Sequence, residues 1–139
     1  MFKRILVAFD GSDHSVKALR MAADISKRYD AVISVATALN LPELPDRGVR
    51  TDSWSRGYTP ELERAAAIAA EEGITVVTHL LRGNPSNVLL RFAEENRFDL
   101  VVMGARGHNA VKRFLMGSVS THLVSNLCCP ALVVKERNS

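Results

Sequence analysis

One connection in the chain holds residue types that packing alone does not ask for. Met103-Gly104-Ala105-Arg106-Gly107 is followed, after nine residues, by Gly117-Ser118-Val119-Ser120. Three of the eight glycines of the chain fall in this stretch, and a glycine lets a ligand approach the backbone where a Cβ would otherwise stand. Gly117-Ser118 opens a helical pattern. A helix start presents N–H groups without intrahelical acceptors at the positive end of the helix dipole, which suits a phosphate. The hydroxyls of Ser118 and Ser120 add donors, and Arg106, His108, Lys112 and Arg113 add basic groups. Together these are the ingredients of a polyphosphate site. Neither common phosphate loop is present: the sequence has no Gly-x-x-x-x-Gly-Lys-[Ser/Thr], and no Gly-x-Gly-x-x-Gly follows its first strand pattern. The plainer alternative is a connection whose helix is capped by Ser118 and whose basic residues face water. Lys112 and Arg113, beside Phe114-Leu115-Met116, fit that description better than a phosphate clamp. Spacing alone leaves both readings open.

The elements that must hold this loop alternate between two periods. Ile5-Leu6-Val7-Ala8-Phe9 is a β-branched and apolar run that stops at Asp10-Gly11-Ser12, where Ser12 caps a helix carrying Val16, Leu19 and Ala23 at helical spacing. A second strand is expected over Ala31–Ala38. From Leu39 to Tyr58 the pattern fails among Pro42, Pro45, Gly48 and Gly57, and a long loop is expected, with Trp54 and Tyr58 packing it onto the domain. Thr59-Pro60-Glu61 starts a helix that Gly73 ends, and Ile74–Leu81 forms a third strand. Asn84-Pro85 starts another helix, bearing Val88, Leu89, Phe92 and Ala93. Leu100-Val101-Val102-Met103 is a strand apolar on both faces, as in a covered parallel sheet. Ser118–Leu127 is helical and Ala131–Val134 is the fifth strand. Helix-bearing crossovers between successive strands predict an α/β doubly wound, Rossmann-like parallel sheet with helices on both faces. Ligands of such folds sit beyond the carboxyl ends of the strands, where the strand order reverses.

At 139 residues the chain has the length of one domain, spanning 1–139. With 47% hydrophobic and 24% charged residues it can bury a core and lies outside the disordered class. No apolar run reaches the roughly 18 residues of a membrane helix, and Asp10 interrupts what would be the apolar middle of a signal peptide. A cytoplasmic protein with no membrane contact is expected. The net charge of +3 is too small to indicate a nucleic-acid partner. Cys128 and Cys129 are adjacent, so a structural disulfide is not expected and both should pack where a helix ends. The four histidines, His14, His79, His108 and His122, lack metal-ligand spacing. No metal ligand and no catalytic residue is assigned.

Several segments carry a family resemblance: Ile5-Leu6-Val7-Ala8-Phe9-Asp10-Gly11-Ser12, Gly83-Asn84-Pro85, Asp99-Leu100-Val101-Val102-Met103-Gly104, the Gly-x2-Gly-x9-Gly-Ser spacing, and Cys129-Pro130-Ala131-Leu132-Val133-Val134. From about Lys3 to Lys135 the chain resembles the universal stress protein family, in its ATP-binding, glycine-motif subgroup. The resemblance implies five parallel strands in the order 3-2-1-4-5, with a nucleotide cleft between strands 1 and 4. It further implies that Ala8, Asp10 and Thr37 hold the adenine side, that Met103 and Gly104 lie along the ribose, and that Gly107, Gly117, Ser118, Val119 and Ser120 meet the phosphates of ATP, with Mg²⁺ bridging them. A homodimer through Ala131–Val134 is implied as well, since the family commonly pairs through this strand and an open apolar edge is a template for a second copy. Three functions follow as expectations: a stress-response or regulatory module that binds ATP, a slow Mg-dependent ATPase, or a dimeric interaction scaffold without ligand. The intact glycine motif favours the first. Hydrolysis would need a base placed at the terminal phosphate; Asp13 and Glu43 are conceivable bases, and nothing in the sequence fixes either there.

Overall fold

The computed structural model describes residues 1–39, 53–57, 59–106 and 117–135. In chain order the elements are β1 (Arg4–Ala8), α1 (Asp13–Tyr29), β2 (Val32–Leu39), β3 (Ser53–Arg56), α2 (Pro60–Glu71), β4 (Val76–Arg82), α3 (Pro85–Glu95), β5 (Leu100–Gly104), α4 (Ser118–Asn126) and β6 (Ala131–Val134). Local chemistry starts three of the four helices. Side chains of Ser12, Thr59 and Asn84 accept from the N–H groups of Ser15, Leu62 and Asn87, and proline occupies the opening turn of α2 and α3. Each cap satisfies an N–H that the helix itself cannot. α4 begins at Ser118 as expected, but its cap is not that of the plainer reading. Gly117, not Ser118, is the N-cap, and it brings no side-chain oxygen to the helix start.

The strands form one sheet in the order β3-β4-β2-β1-β5-β6. Its five parallel strands, β4-β2-β1-β5-β6, are the expected ones in the expected order. A sixth strand corrects the expectation of a wholly parallel sheet and of a loop running on to Tyr58. Ser53–Arg56 pairs antiparallel with β4, setting Trp54 opposite Leu81. Trp54 packs edge-on to Phe92 of α3 at 5.5 Å between ring centroids, with the Arg91 guanidinium 5.7 Å above it. Residues 40–52 and Tyr58, the remainder of that expected loop, lie outside the described residues.

Alternation along the strands splits the core into two layers. Ile5, Val7, Ile33, Val35 and Val102 face α1 and α2, where they meet Leu19, Ala22, Leu62 and Ala65. Leu6, Ala36, Leu81, Val101 and Met103 face α3 and α4, where they meet Val88, Leu89, Phe92 and Leu123. From β1 the chain winds outward through β2 and β4, then returns to β5 and β6 on the other side, so the order reverses between β1 and β5. Both cysteines are free. Cys129 packs against the second layer, whereas Cys128 is exposed, and the Glu94 carboxylate beside it raises its thiol pKa. Among the described residues no helix is long and apolar enough to cross a membrane.

Candidate functional site

At the reversal point the β1–α1 turn is built by the short sequence Asp10-Gly11-Ser12. Gly11 has φ +85°, a left-handed conformation that glycine adopts without a Cβ penalty. Asp10 accepts the Ser12 N–H on Oδ1 at 2.9 Å, and Ser15 Oγ donates to Ser12 O at 2.9 Å. From α2, Arg64 Nη1 donates to Gly11 O at 2.8 Å. The turn is therefore held from both sides.

Across the gap, β5 ends at Gly104, where α1 comes so close that a Cβ would stand 2.6 Å from His14 Cβ and 3.0 Å from the His14 carbonyl carbon. Only glycine fits there without moving the helix. Ser120 Oγ lies 2.7 Å from Gly104 O and 3.1 Å from Ala105 O, donating toward this pair, and Gly117 N–H donates to Ala105 O at 2.7 Å. These bonds pin the start of α4 to the end of β5. Ser118, Val119 and Ser120 are its first helical residues, whose N–H groups have no carbonyl of the same helix to meet.

The two halves enclose a cleft of about 490 Å³, within the ~300–1,000 Å³ usual for small-molecule sites. Ala8, Asp10, Met103, Gly104, Gly117, Ser118, Val119 and Ser120 all line it. Gly107 lies outside the described residues. Thr37 is placed differently from the expectation. Strand alternation turns it to the α1/α2 side with Ile33 and Val35, where it is buried and donates from Oγ1 to Phe9 O at 2.8 Å. It braces the ends of β1 and β2 behind the cleft, and its neighbours Ala36 and Ala38 line the cavity in its place. Ala36 sits beside Ala8 in the parallel register, so small side chains face the cavity from both strands.

Sequence reasoning also missed Pro85 and Leu89 of α3, and it did not choose Arg106 as a site residue although it named its charge. A helical projection that puts Leu89 on the same face as Phe92 would have suggested one of them. Nothing in the alanines advertises chemistry. The cleft lining combines small and apolar side chains, among them Ala8, Ala36, Ala38, Leu89 and Leu123, with polar groups contributed by Asp10, Arg106 and the α4 start. A flat apolar ring suits the apolar side chains, and an anion suits the helix start. The residues present thus fit a nucleotide.

The sequence model of the Universal stress protein family matches residues 1–135. The chain belongs to this family. Among curated members, it is 33% identical over 142 residues to Universal stress protein MJ0531 of Methanocaldococcus jannaschii, covering 98% of this chain and 84% of that one. Its fold is similar to that of the solved protein MJ0577, with a TM-score of 0.80 at 22% identity over 100% of this chain and 99% of that one. It is also similar to a universal stress protein crystallised in complex with cAMP, with a TM-score of 0.74 at 26% identity over 98% of each chain. Within the universal stress proteins, then, at least one relative of this fold has been crystallised with an adenine nucleotide.

Proposed function

We propose that this universal stress protein binds ATP and acts as a stress-response or regulatory module in the cytoplasm. The carrying observation is the cleft at the β1/β5 reversal, which brings the opening residues of α4 and Arg106 into one lining with the small side chains of Ala8, Ala36 and Ala38. Ala8 and Asp10 hold the adenine side, with Ala36 and Ala38 widening that side for a planar base. Met103 and Gly104 flank the ribose. The backbone N–H groups of Ser118, Val119 and Ser120, and the Ser118 hydroxyl, receive the phosphates. The Ser120 hydroxyl serves another purpose, since its donor is committed to the end of β5. Gly107 contributes backbone from the connecting loop. Mg²⁺, carried in with the nucleotide, bridges the phosphates and offsets their negative charge. The relative crystallised with cAMP supports an adenine ligand of the same class.

The homodimer belongs to the same proposal, with β6 as the paired edge. β6 ends the sheet, is four residues long, and is apolar throughout.

Nucleotide binding is tested on the purified chain by denaturing it, identifying released nucleotide by chromatography, and titrating the emptied protein with Mg-ATP by calorimetry. Released adenine nucleotide, or binding heat saturating at one ligand per chain, is the expected result. Neither bound nucleotide nor heat from Mg-ATP, ADP, AMP or cAMP would overturn the reading.

A further inference from the structure

Among the described residues that line the cleft, Arg106 alone carries a positive charge. Its Nη2 lies 3.4 Å from Nε2 of His14, the second residue of α1. The other ring nitrogen of His14, Nδ1, lies 3.4 Å from Val134 O at the end of β6. A guanidinium can only donate and a carbonyl can only accept. One arrangement therefore satisfies both contacts: Nδ1–H donates to Val134 O, and Nε2 accepts from Arg106. With the ring hydrogen on Nδ1, both contacts have hydrogen-bond polarity.

The anchor of this arrangement is itself held, because Val134 O also accepts the Ala105 N–H at 2.8 Å. Room for the ring comes from Gly104, where any Cβ would collide with His14. Ala105 in turn receives the Gly117 N–H, so the backbone that carries Arg106 emerges beside the start of α4. An unrestrained arginine loses side-chain freedom when it grips a ligand. Here histidine has already taken part of that freedom away.

We propose that His14 is a positioning residue that holds the Arg106 guanidinium toward the anionic part of a bound nucleotide, so that this pair separates phosphorylated adenine ligands from the bare nucleoside. This rests on the adenine-nucleotide reading above and adds to it what the cleft selects for. His14 touches no ligand in this scheme; it acts through Arg106.

The experiment compares Mg-ATP with adenosine by calorimetry on the full chain, in the wild type, His14→Ala, His14→Gln, Arg106→Ala and the His14→Ala/Arg106→Ala pair. His14→Ala is expected to weaken Mg-ATP about tenfold, the size of a coupling near 1.4 kcal/mol, and to move adenosine less than about twofold on the same scale. The Gln side chain offers an oxygen that can accept from a guanidinium, so His14→Gln is expected to recover most of the loss. With Arg106 already removed, His14→Ala is expected to change nothing further. Equal loss of Mg-ATP and adenosine, failure of rescue by Gln, an effect that simply adds to Arg106→Ala, or wild-type affinity in His14→Ala would each overturn the inference while leaving nucleotide binding intact. A wild type that binds neither ligand would overturn both together.

Discussion

At the scale of single residues, Gly104 shows how a glycine in a binding motif can be required by packing before any ligand arrives. The gap it leaves admits α1, and through α1 it admits His14 and the Asp10-Gly11-Ser12 turn. The nearest atoms to an added Cβ are His14 Cβ at 2.6 Å, the His14 carbonyl carbon at 3.0 Å and Ser15 N at 3.1 Å. None is the yielding tip of a long side chain. Gly104→Ala must therefore displace helix backbone, at a cost of about 1–3 kcal/mol for overpacking a filled site. Urea unfolding should show that loss as a lower midpoint. Calorimetry on the folded variant should show weaker Mg-ATP binding, because the displaced helix brings Ser15 and its cap Ser12 to the cleft lining. Unchanged stability would mean that α1 shifts freely, contrary to the contacts that bind it to β5 and β6. Ser120 makes a related point: its buried hydroxyl looks like a ligand group in the sequence, yet in the fold it pins α4 to β5.

At the scale of elements, the parts legible in the sequence are those decided locally. Ser12, Thr59 and Asn84 cap their own helices within three residues, and β6 has the bounds expected from its composition. β3 was not legible, because Ser53-Trp54-Ser55-Arg56 has no β-branched residue and is held instead by distant partners, Phe92 and β4. Thr37 was named from the resemblance, and strand alternation could not have told that its side chain turns from the cleft toward Phe9 O. A period of two tells which residues share a face, but the face that opens on the cleft depends on where α3 and α4 pack. The Asp10 turn and the α4 start were legible, since glycine, proline and hydroxyl residues impose their geometry over a few positions. His79 shows an element junction with a measurable consequence. Its ring, on β4, contacts Ser34 Oγ of β2 at 3.3 Å and packs at a tilt against Phe92 of α3, 4.9 Å between ring centroids. Burial first, and then the charges of Arg56 and Arg4, hold its pKa below the ordinary value of 6.5. The unfolded chain thus takes up a proton at this ring before the folded one does, and stability present above 6.5 falls as the pH drops below that value. The urea midpoint should decrease from about pH 7.5 to about pH 5, and His79→Gln should show a shallower decrease. Parallel pH profiles for the two proteins would refute this contribution.

At the scale of the whole molecule, the sheet has two edges with different characters. β3 is a short antiparallel strand whose residues Ser55 and Arg56 are exposed, and polar or charged residues of this kind discourage pairing. β6 is apolar, with Lys135 beside it, and its hydrogen-bonding geometry can be read directly. Val101 N–H donates to Pro130 O at 3.0 Å and Ala105 N–H donates to Val134 O at 2.8 Å. In an extended strand, alternate residues direct their N–H and C=O to opposite sides. Ala131 and Val133 therefore point theirs away from β5, toward the open edge where the proposed second copy would pair. Ala131→Pro removes one such outward N–H at the first residue of the strand, a place where proline is tolerated, and its side chain is already exposed. The inward bonds to β5 involve other residues and stay intact. In a two-fold dimer the change acts twice, and at about 0.5–1.5 kcal/mol per hydrogen bond the dimer dissociation constant should rise by about fivefold to about 150-fold. Sedimentation or light scattering across a concentration series measures it, with circular dichroism confirming that the fold is kept. A dissociation constant that does not move, or a wild type that stays monomeric at micromolar concentration, would rule out β6 as the pairing edge. A rise would also bear on the cleft, because Val134, the carbonyl against which His14 rests, is the last residue of that same strand.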